Sequence, residues 1–391
     1  MPGELATPSV PDTTRPWSDS VFARRMRELI ADGGHSYRRL AEATKADPGH
    51  LNRIATGARP IPARSLVAAI DNALSADGEL VRLAQLEAAP MPRFELRQLG
   101  TADAERARAT MLHLVALDTL HGSDGLVPIA TRAFRQAADQ LGRVGGTSDV
   151  QSAVADLGAA AAWIAADAVE RDLSRTLGLE ALALADMAGD TRMHRFLLSH
   201  LSMVSEHAGR YGDALAFAER IQADQPDSPR VNAMVEIRRA RALSGLGAHT
   251  EALGAWDRAE HLLTESPHAD DGLTYWIHDS EMAIHKAVIL TRAHSREAVD
   301  WARRGVEWLP DEQGRDQVLF RAMLLHDAVA AGAWREVPGI ADGLMQYAGD
   351  GRSARVPEEI GKARRMVEQG SRVPAGARDA VLNSFVAFRS V

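Results

Sequence analysis

Between Tyr37 and Arg59 the sequence collects side chains that offer hydrogen bonds in fixed geometries. They are Arg38, His50, Asn52, Arg53 and Arg59, with Tyr37 ahead of them and Pro48-Gly49 among them. A guanidinium presents a planar fork of donors, and a carboxamide sets a donor beside an acceptor. Such groups hold nucleic acid by its phosphates and read it at its base edges. Other chemistries find little support. No P-loop, GxSxG, HExxH or GxGxxG pattern occurs. His194, His200 and His207 are spaced by six and seven residues, and His278 and His285 by seven. Two turns separate such a pair by roughly 10 Å, too far for one ion. Asp270-Asp271 sits beside Pro267 and Gly272 as a helix cap, and Glu358-Glu359 after Pro357 complements a first-turn dipole. With zero cysteines there is no disulfide, thiolate zinc site or cysteine nucleophile. The expectation is a protein that is not an enzyme and takes neither metal nor cofactor.

Two short helices must position the first set. Ser36 caps one helix, with Leu40 and Ala41 on its apolar side, and Lys45-Ala46 forms a turn. Asp47 then offers an acceptor to the free N–H groups of a second helix with Pro48 at its first position. Leu51 and Ile54, three apart, face the core, and Gly57 stands where the chain leaves the helix. The geometry is that of a helix-turn-helix, whose second helix enters the major groove N-terminus first.

The residues Ser36, Leu40, Ala41, Asp47, Asn52, Arg53, Ile54 and Gly57 resemble the phage-repressor-like (XRE) helix-turn-helix family over roughly residues 20 to 87. The resemblance implies duplex DNA as partner and a two-fold dimer on an inverted repeat, with half-sites about 10–10.5 bp or a multiple apart. It assigns Tyr37, Arg38 and Arg59 to phosphates, and His50, Asn52 and Arg53 to bases. Arg53 suits guanine and Asn52 adenine. Two departures matter: Tyr37 replaces the usual Gln, and Pro48 and Gly49 stand where base-reading side chains often sit. A head kept only as a protein-interaction module is the rival reading.

Charge is unevenly distributed. Phe22 to Arg64 holds nine basic and four acidic residues, a surplus of five, so the rest carries −13 of the net −8. A basic head on an acidic body suits a DNA reader joined to another kind of domain. Around the motif, Phe22, Met26, Leu29 and Ile30 mark a preceding helix, stopped by Gly33-Gly34. Leu66, Val67, Ile70 and Leu74 mark a fourth, and Leu80, Leu83 and Leu86 a fifth. The expected divisions are a Pro/Thr/Ser-rich disordered arm over 1–17, a five-helix head over 18–88, a linker over 89–102 and a helical region over 103–391. No signal peptide or membrane-length run is legible, so the expected location is the cytoplasm.

The helical region repeats. Gly209, Tyr211, Ala214, Ala218 and Pro226 give a turn glycine, an aromatic, two small residues and a closing proline. Gly247, Ala252, Trp256 and Ala259 repeat them, with Gly209 to Gly247 and Ala214 to Ala252 both 38 residues. Weaker copies lie at Leu177, Ala181 and Leu184, at Ala298 and Ala302, and at Gly332, Trp334, Ala341 and Leu344. This resembles tetratricopeptide repeats with lengthened units, joined to the XRE head as in actinobacterial regulators. It implies an all-α chain whose C-terminal α-solenoid has about six helix pairs, a right-handed superhelix and a concave inner surface.

Such a groove implies a peptide or small-molecule effector and a place for dimerisation. In peptide-sensing regulators, asparagines from several repeats clamp the peptide backbone, whereas this region has only Asn232 and Asn383. Arg238, Arg239 and Arg241, with Tyr275 and Trp276, suit an anionic or aromatic ligand. Core packing of Trp256, Trp276, Trp301, Trp308 and Trp334 is the commoner use of such rings.

Overall fold

The structure is a computed structural model that describes residues 20–88, 98–123, 125–265, 274–310, 314–348 and 353–389. The proposed arm over 1–17 lies outside the described residues, as do residues 89–97 of the proposed linker and the Asp270-Asp271 pair. The described residues are all-α, with one isolated parallel bridge, Leu99 to Gly146. They fall into two compact units, one within Met1–Arg93 and one within Phe94–Val391. Among them no helix is long and apolar enough to cross a membrane.

The first unit contains α1 (Val21–Asp32), α2 (Tyr37–Thr44), α3 (Pro48–Ala55), α4 (Arg64–Ala73) and α5 (Glu79–Ala88). Phe22, Met26, Leu51, Ile54, Ile70 and Leu80 are fully buried and form its centre. The first helix is capped by Ser20, whose side chain accepts from Ala23 N. Glu87 of α5 reaches back to that cap: its carboxylate accepts from Ser20 Oγ at 2.7 Å and from the Val21 N–H. A second long-range cap fixes the start of α5. Buried Asp71 accepts from Gly78 N at 2.7 Å through Oδ1 and from Leu80 N at 2.8 Å through Oδ2. Hydrogen bonds to a charged acceptor are the strong kind, and losing the acceptor leaves buried N–H groups unmet. Asp71→Ala is therefore expected to cost about 2–3 kcal/mol of head stability in a denaturant titration.

The second unit is a run of helix pairs, seven among the described residues rather than about six. The leading helices are α6 (Thr101–His121), α8 (Ser148–Asp167), α10 (Thr191–His207), α12 (Pro229–Gly245), α14 (Asp279–Arg292), α16 (Gly314–Ala330) and α18 (Arg355–Gln369). Their partners are α7 (Val127–Val144), α9 (Arg171–Ala188), α11 (Tyr211–Ala223), α13 (His249–Glu265), α15 (Glu297–Glu307), α17 (Val337–Met345) and α19 (Ala375–Arg389). Small residues let the pairs close up: Ala214, Ala218, Ala252 and Ala259 are fully buried, beside a fully buried Trp256. Gly209 and Gly247 turn the chain with φ of +74° and +80°, where a side chain would be strained. Two further glycines serve close approach. A Cβ at Gly245 would lie 2.2 Å from the Tyr211 ring, and one at Gly158 would lie 2.6 Å from Phe134.

The run also closes on itself. Arg315, at the start of α16, donates to Asp118 Oδ2 of α6 at 3.2 Å and to Asp167 of α8. Ser353, just before α18, lies 3.4 Å from Asp167, and Arg171 of α9 pairs with Glu358 of α18. The first two pairs thus meet the last two across residues 118 to 358. Glu358 does sit in a first turn, but its partner is this distant arginine.

Candidate nucleic-acid interface

In the first unit every local device around α3 is built. Ser36 Oγ accepts from Arg39 N at 3.2 Å, starting α2, and Lys45 ends it in the left-handed conformation at φ +53°. Asp47 Oδ1 accepts from His50 N at 2.7 Å, with Pro48 at the first helical position. Gly57 leaves α3 with φ +70°. Leu51, Ile54 and Ala55 pin the inner face of α3, so helical geometry turns Asn52 and Arg53 outward. Both are exposed, Pro48 at the leading tip is exposed, and Gly49 and His50 are half-buried.

Arg38, Arg39, Lys45, Arg59 and Arg64 are exposed around this helix. Among the described residues, no carboxylate lies within ion-pair distance of any of them. Not all nine basic residues of the segment are available, however. Arg25 pairs with Glu79 at 2.9 Å and Glu28 at 3.1 Å, and Arg27 donates to the Ala55 carbonyl at the end of α3. These two hold the head together, so the raw charge count overstates its outward field. Tyr37 is half-buried against the core. Burial pushes its phenol pKa upward, with Arg27 pulling the other way.

Of the five residues assigned to an effector, the second unit brings together Arg238, Arg241 and Trp276, whereas Arg239 pairs with Glu236 at 2.7 Å. Arg238 stacks over the Trp276 ring at 4.6 Å, and Trp276 meets His285 edge-on at 5.5 Å. Arg241 donates to His285 Nδ1 at 2.8 Å and to Glu206 Oε2 at 2.8 Å. Tyr275 stands apart at 66% exposure, whereas Arg238 and Arg241 are buried. Burial pushes Arg238 down to about 10, aided by Arg241, and drives His285 well below its ordinary range. A neutral His285 accepts at Nδ1 and so carries its proton on Nε2, which lies 3.7 Å from Glu281. Burial opposes ionisation of Glu206, but Arg241, His207 and Arg292 hold it far below the carboxylate range. Glu281 is pushed up to about 7, by burial and then by Asp316.

A polar layer of Glu206, Arg241, His285, Glu281 and Asp316 therefore runs from α10 to α16, on the leading helix of each pair. The sequence singles out Arg241 and His285 separately but not their joining, nor Glu206, Glu281 and Asp316. The layer's signal was there: Glu236, Arg238 and Arg241 interleave with Met234, Ile237 and Ala240 on one helix, a mixture no purely apolar seam would show. Among the described residues, no group of three His, Asp or Glu side chains is placed to hold a metal. An open groove of about 760 Å³ lies elsewhere, between α7 and the start of α9, lined by Arg132, Arg135, Arg143 and Glu170 among others.

Residues 21–84 match the family model of a helix-turn-helix domain. No curated protein matches the chain. Among solved structures, the crystal structure of Bacillus thuringiensis PlcR in complex with the peptide PapR7 and DNA is similar at 12% identity and a TM-score of 0.34. The match covers 73% of this chain and 93% of that one.

Proposed function

We propose that this protein is a sequence-specific DNA-binding transcription regulator, with a head over 18–88 and a repeat domain over 103–391 that dimerises and senses an effector. One observation carries the reading: a matched helix-turn-helix presents Asn52 and Arg53 on an exposed helix face, with Arg38, Arg39, Lys45, Arg59 and Arg64 exposed on the flanking segments and free of any carboxylate among the described residues. In that role α3 enters the major groove with Pro48 and Gly49 leading, where the small tip permits close approach to the base edges. His50, Asn52 and Arg53 contact bases. Arg38 and Arg59 hold phosphates and set the register; Tyr37 joins them only through its hydroxyl, since the ring packs on the core.

The proposed partner is an inverted repeat bound by a homodimer, with half-sites about one helical turn or a multiple apart. The proposed effector is a peptide or small molecule received near Arg238, Arg241, Tyr275 and Trp276, and the proposed location is the cytoplasm. The buried state of the two arginines means that such a ligand must displace existing partners. An interaction module without DNA readout is the rival, favoured by the packed Tyr37 and by the side-chain-poor Pro48-Gly49 tip.

The deciding experiment incubates the full chain with a random duplex library at about physiological salt and sequences what is retained. Recovery of one inverted repeat, with affinity falling steeply in salt, supports the regulator. Folded protein that retains no sequence above background, with and without cell extract, overturns it. Within that frame, Arg53→Ala is expected to cost about 1–3 kcal/mol and relax one base pair, measured by titration on matched and mismatched duplexes. Equal weakening on every sequence would make Arg53 a phosphate contact instead.

A further inference from the structure

Asp47 is more than a helix cap. Its Oδ1 accepts from His50 N at 2.7 Å, and the same oxygen lies 3.9 Å from Arg53 Nη2. Arg53 thus folds back over the first turn of α3 toward the residue that starts it. Gly49 lies beneath the pair: a Cβ there would sit 3.2 Å from Asp47 Oδ1 and 3.5 Å from Arg53 Nη1. The pair is open to the outside, with side chains 69% and 51% exposed. Asp47 Oδ2 has no hydrogen-bond partner among the described residues. The arrangement is therefore a guanidinium steadied by a carboxylate, at the end of the helix that leads into a groove, with one acceptor oxygen still to be met.

We infer that Asp47 and Arg53 form a single reading unit in which Arg53 donates to guanine and Asp47 Oδ2 accepts from an exocyclic amino group on the neighbouring base pair. The inference rests on the DNA-binding reading and deepens it. Cytosine N4 and adenine N6 are the amino donors that face the major groove, while guanine O6 and thymine O4 are acceptors there. A carboxylate next to an acceptor edge gains no bond and is repelled, so Asp47 selects by exclusion as well as by contact. Asp47 also biases Arg53 toward the first turn of α3, although an exposed pair at 3.9 Å does so only weakly, and removing its charge favours a phosphate contact.

The test compares the full-length protein with Asp47→Asn and Arg53→Ala in the same duplex selection, followed by titrations at several salt concentrations. Asparagine caps helices as well as aspartate, so Asp47→Asn keeps α3 intact; a matching thermal melt verifies this. The wild type is expected to recover guanine beside an amino-bearing base, and the recovered base tells cytosine from adenine. Asp47→Asn is expected to keep the guanine but lose about tenfold of its discrimination against guanine or thymine at the neighbour. Its affinity should also fall more steeply with salt, by about one unit in the log–log slope, as Arg53 moves to a phosphate. A motif recovered by the wild type and unchanged in Asp47→Asn overturns the reading unit alone. A wild type that recovers no motif overturns the DNA reading, and this inference with it.

Discussion

Arg315→Ala is expected to destabilise the repeat domain by about 3–5 kcal/mol, the range for removing one partner from a buried ion pair. Arg315 Nη1 donates to the Asp118 carbonyl at 3.1 Å and to its Oδ2 at 3.2 Å, while Nη2 donates to Asp167 and to Ser123 Oγ at 3.4 Å. The two carboxylates are almost wholly buried, with side chains 8% and 5% exposed. Without the guanidinium Asp118 keeps only the Ser123 hydroxyl, while Asp167 keeps Ser123 Oγ at 2.8 Å, Ser353 Oγ at 3.4 Å and Arg355 Nη1 at 4.0 Å. Lysine restores a charge but not the planar fork that spans both acids, so Arg315→Lys should recover only part of the loss. Denaturant unfolding measures the magnitude, and hydrogen exchange should show faster opening of α6, α8, α16 and α18 than of the middle pairs. A variant within about 0.5 kcal/mol of the wild type would mean that closure of the run adds nothing to its stability.

The second large effect depends on pH. Glu281 stands in the first turn of α14. It is faced by Asp316 from α16, Arg355 from α18, Arg238 and Arg241 from α12, and His285 one turn along its own helix. Burial first, and then Asp316, push its carboxyl up to about 7. An unfolded glutamate titrates near 4.3. Between these values the folded protein holds a proton that the unfolded chain has released. The contribution of Glu281 is therefore most favourable below about pH 4 and is lost as pH rises through about 7. Glu281→Gln, neutral at every pH, is expected to raise stability at pH 8 by about 2–3 kcal/mol, after allowance for its partial exposure. The gain should vanish near pH 4.5. A gain of equal size at both pH values would trace it to packing, not ionisation. Glu206 has the opposite sign: its depressed pKa stabilises above the unfolded value and is lost on acidification.

What could be read in the sequence was mostly what is encoded locally. Ser36, Asp47 and Gly57 act on backbone groups within a few residues, so their spacing alone specifies the turn and both helices around it. Gly209 and Ala214 sit in a repeat whose copy follows 38 residues later, and the same periodicity exposes the pairing of helices. The seven pairs exceed the five copies legible in the sequence because the α6–α7 and α18–α19 ends lack the glycine–aromatic signature of the middle. Pairings across the chain left no such trace. Asp71 reads as an ordinary helix residue until the turn after α4 carries the Leu80 amide back to it. Nothing near Asp118 announces Arg315, and nothing near Arg171 announces Glu358. In the head, the outward direction of Asn52 and Arg53 followed from Leu51 and Ile54 facing inward. That Arg25 and Arg27 turn to internal acceptors did not follow, because a charge count treats every cation as solvent-facing.

The joining of residue 118 to residue 315 also has a consequence for how the chain is made. An open array can fold pair by pair as it leaves the ribosome, each unit needing only the neighbour just completed. Here Asp118 and Asp167 are finished long before Arg315 exists. At about 5–20 residues per second, the wait after Asp118 is about 10–40 s. During it the leading pairs carry two carboxylates met only by Ser123 of their own segment, so closure of the run must wait for its far end to emerge.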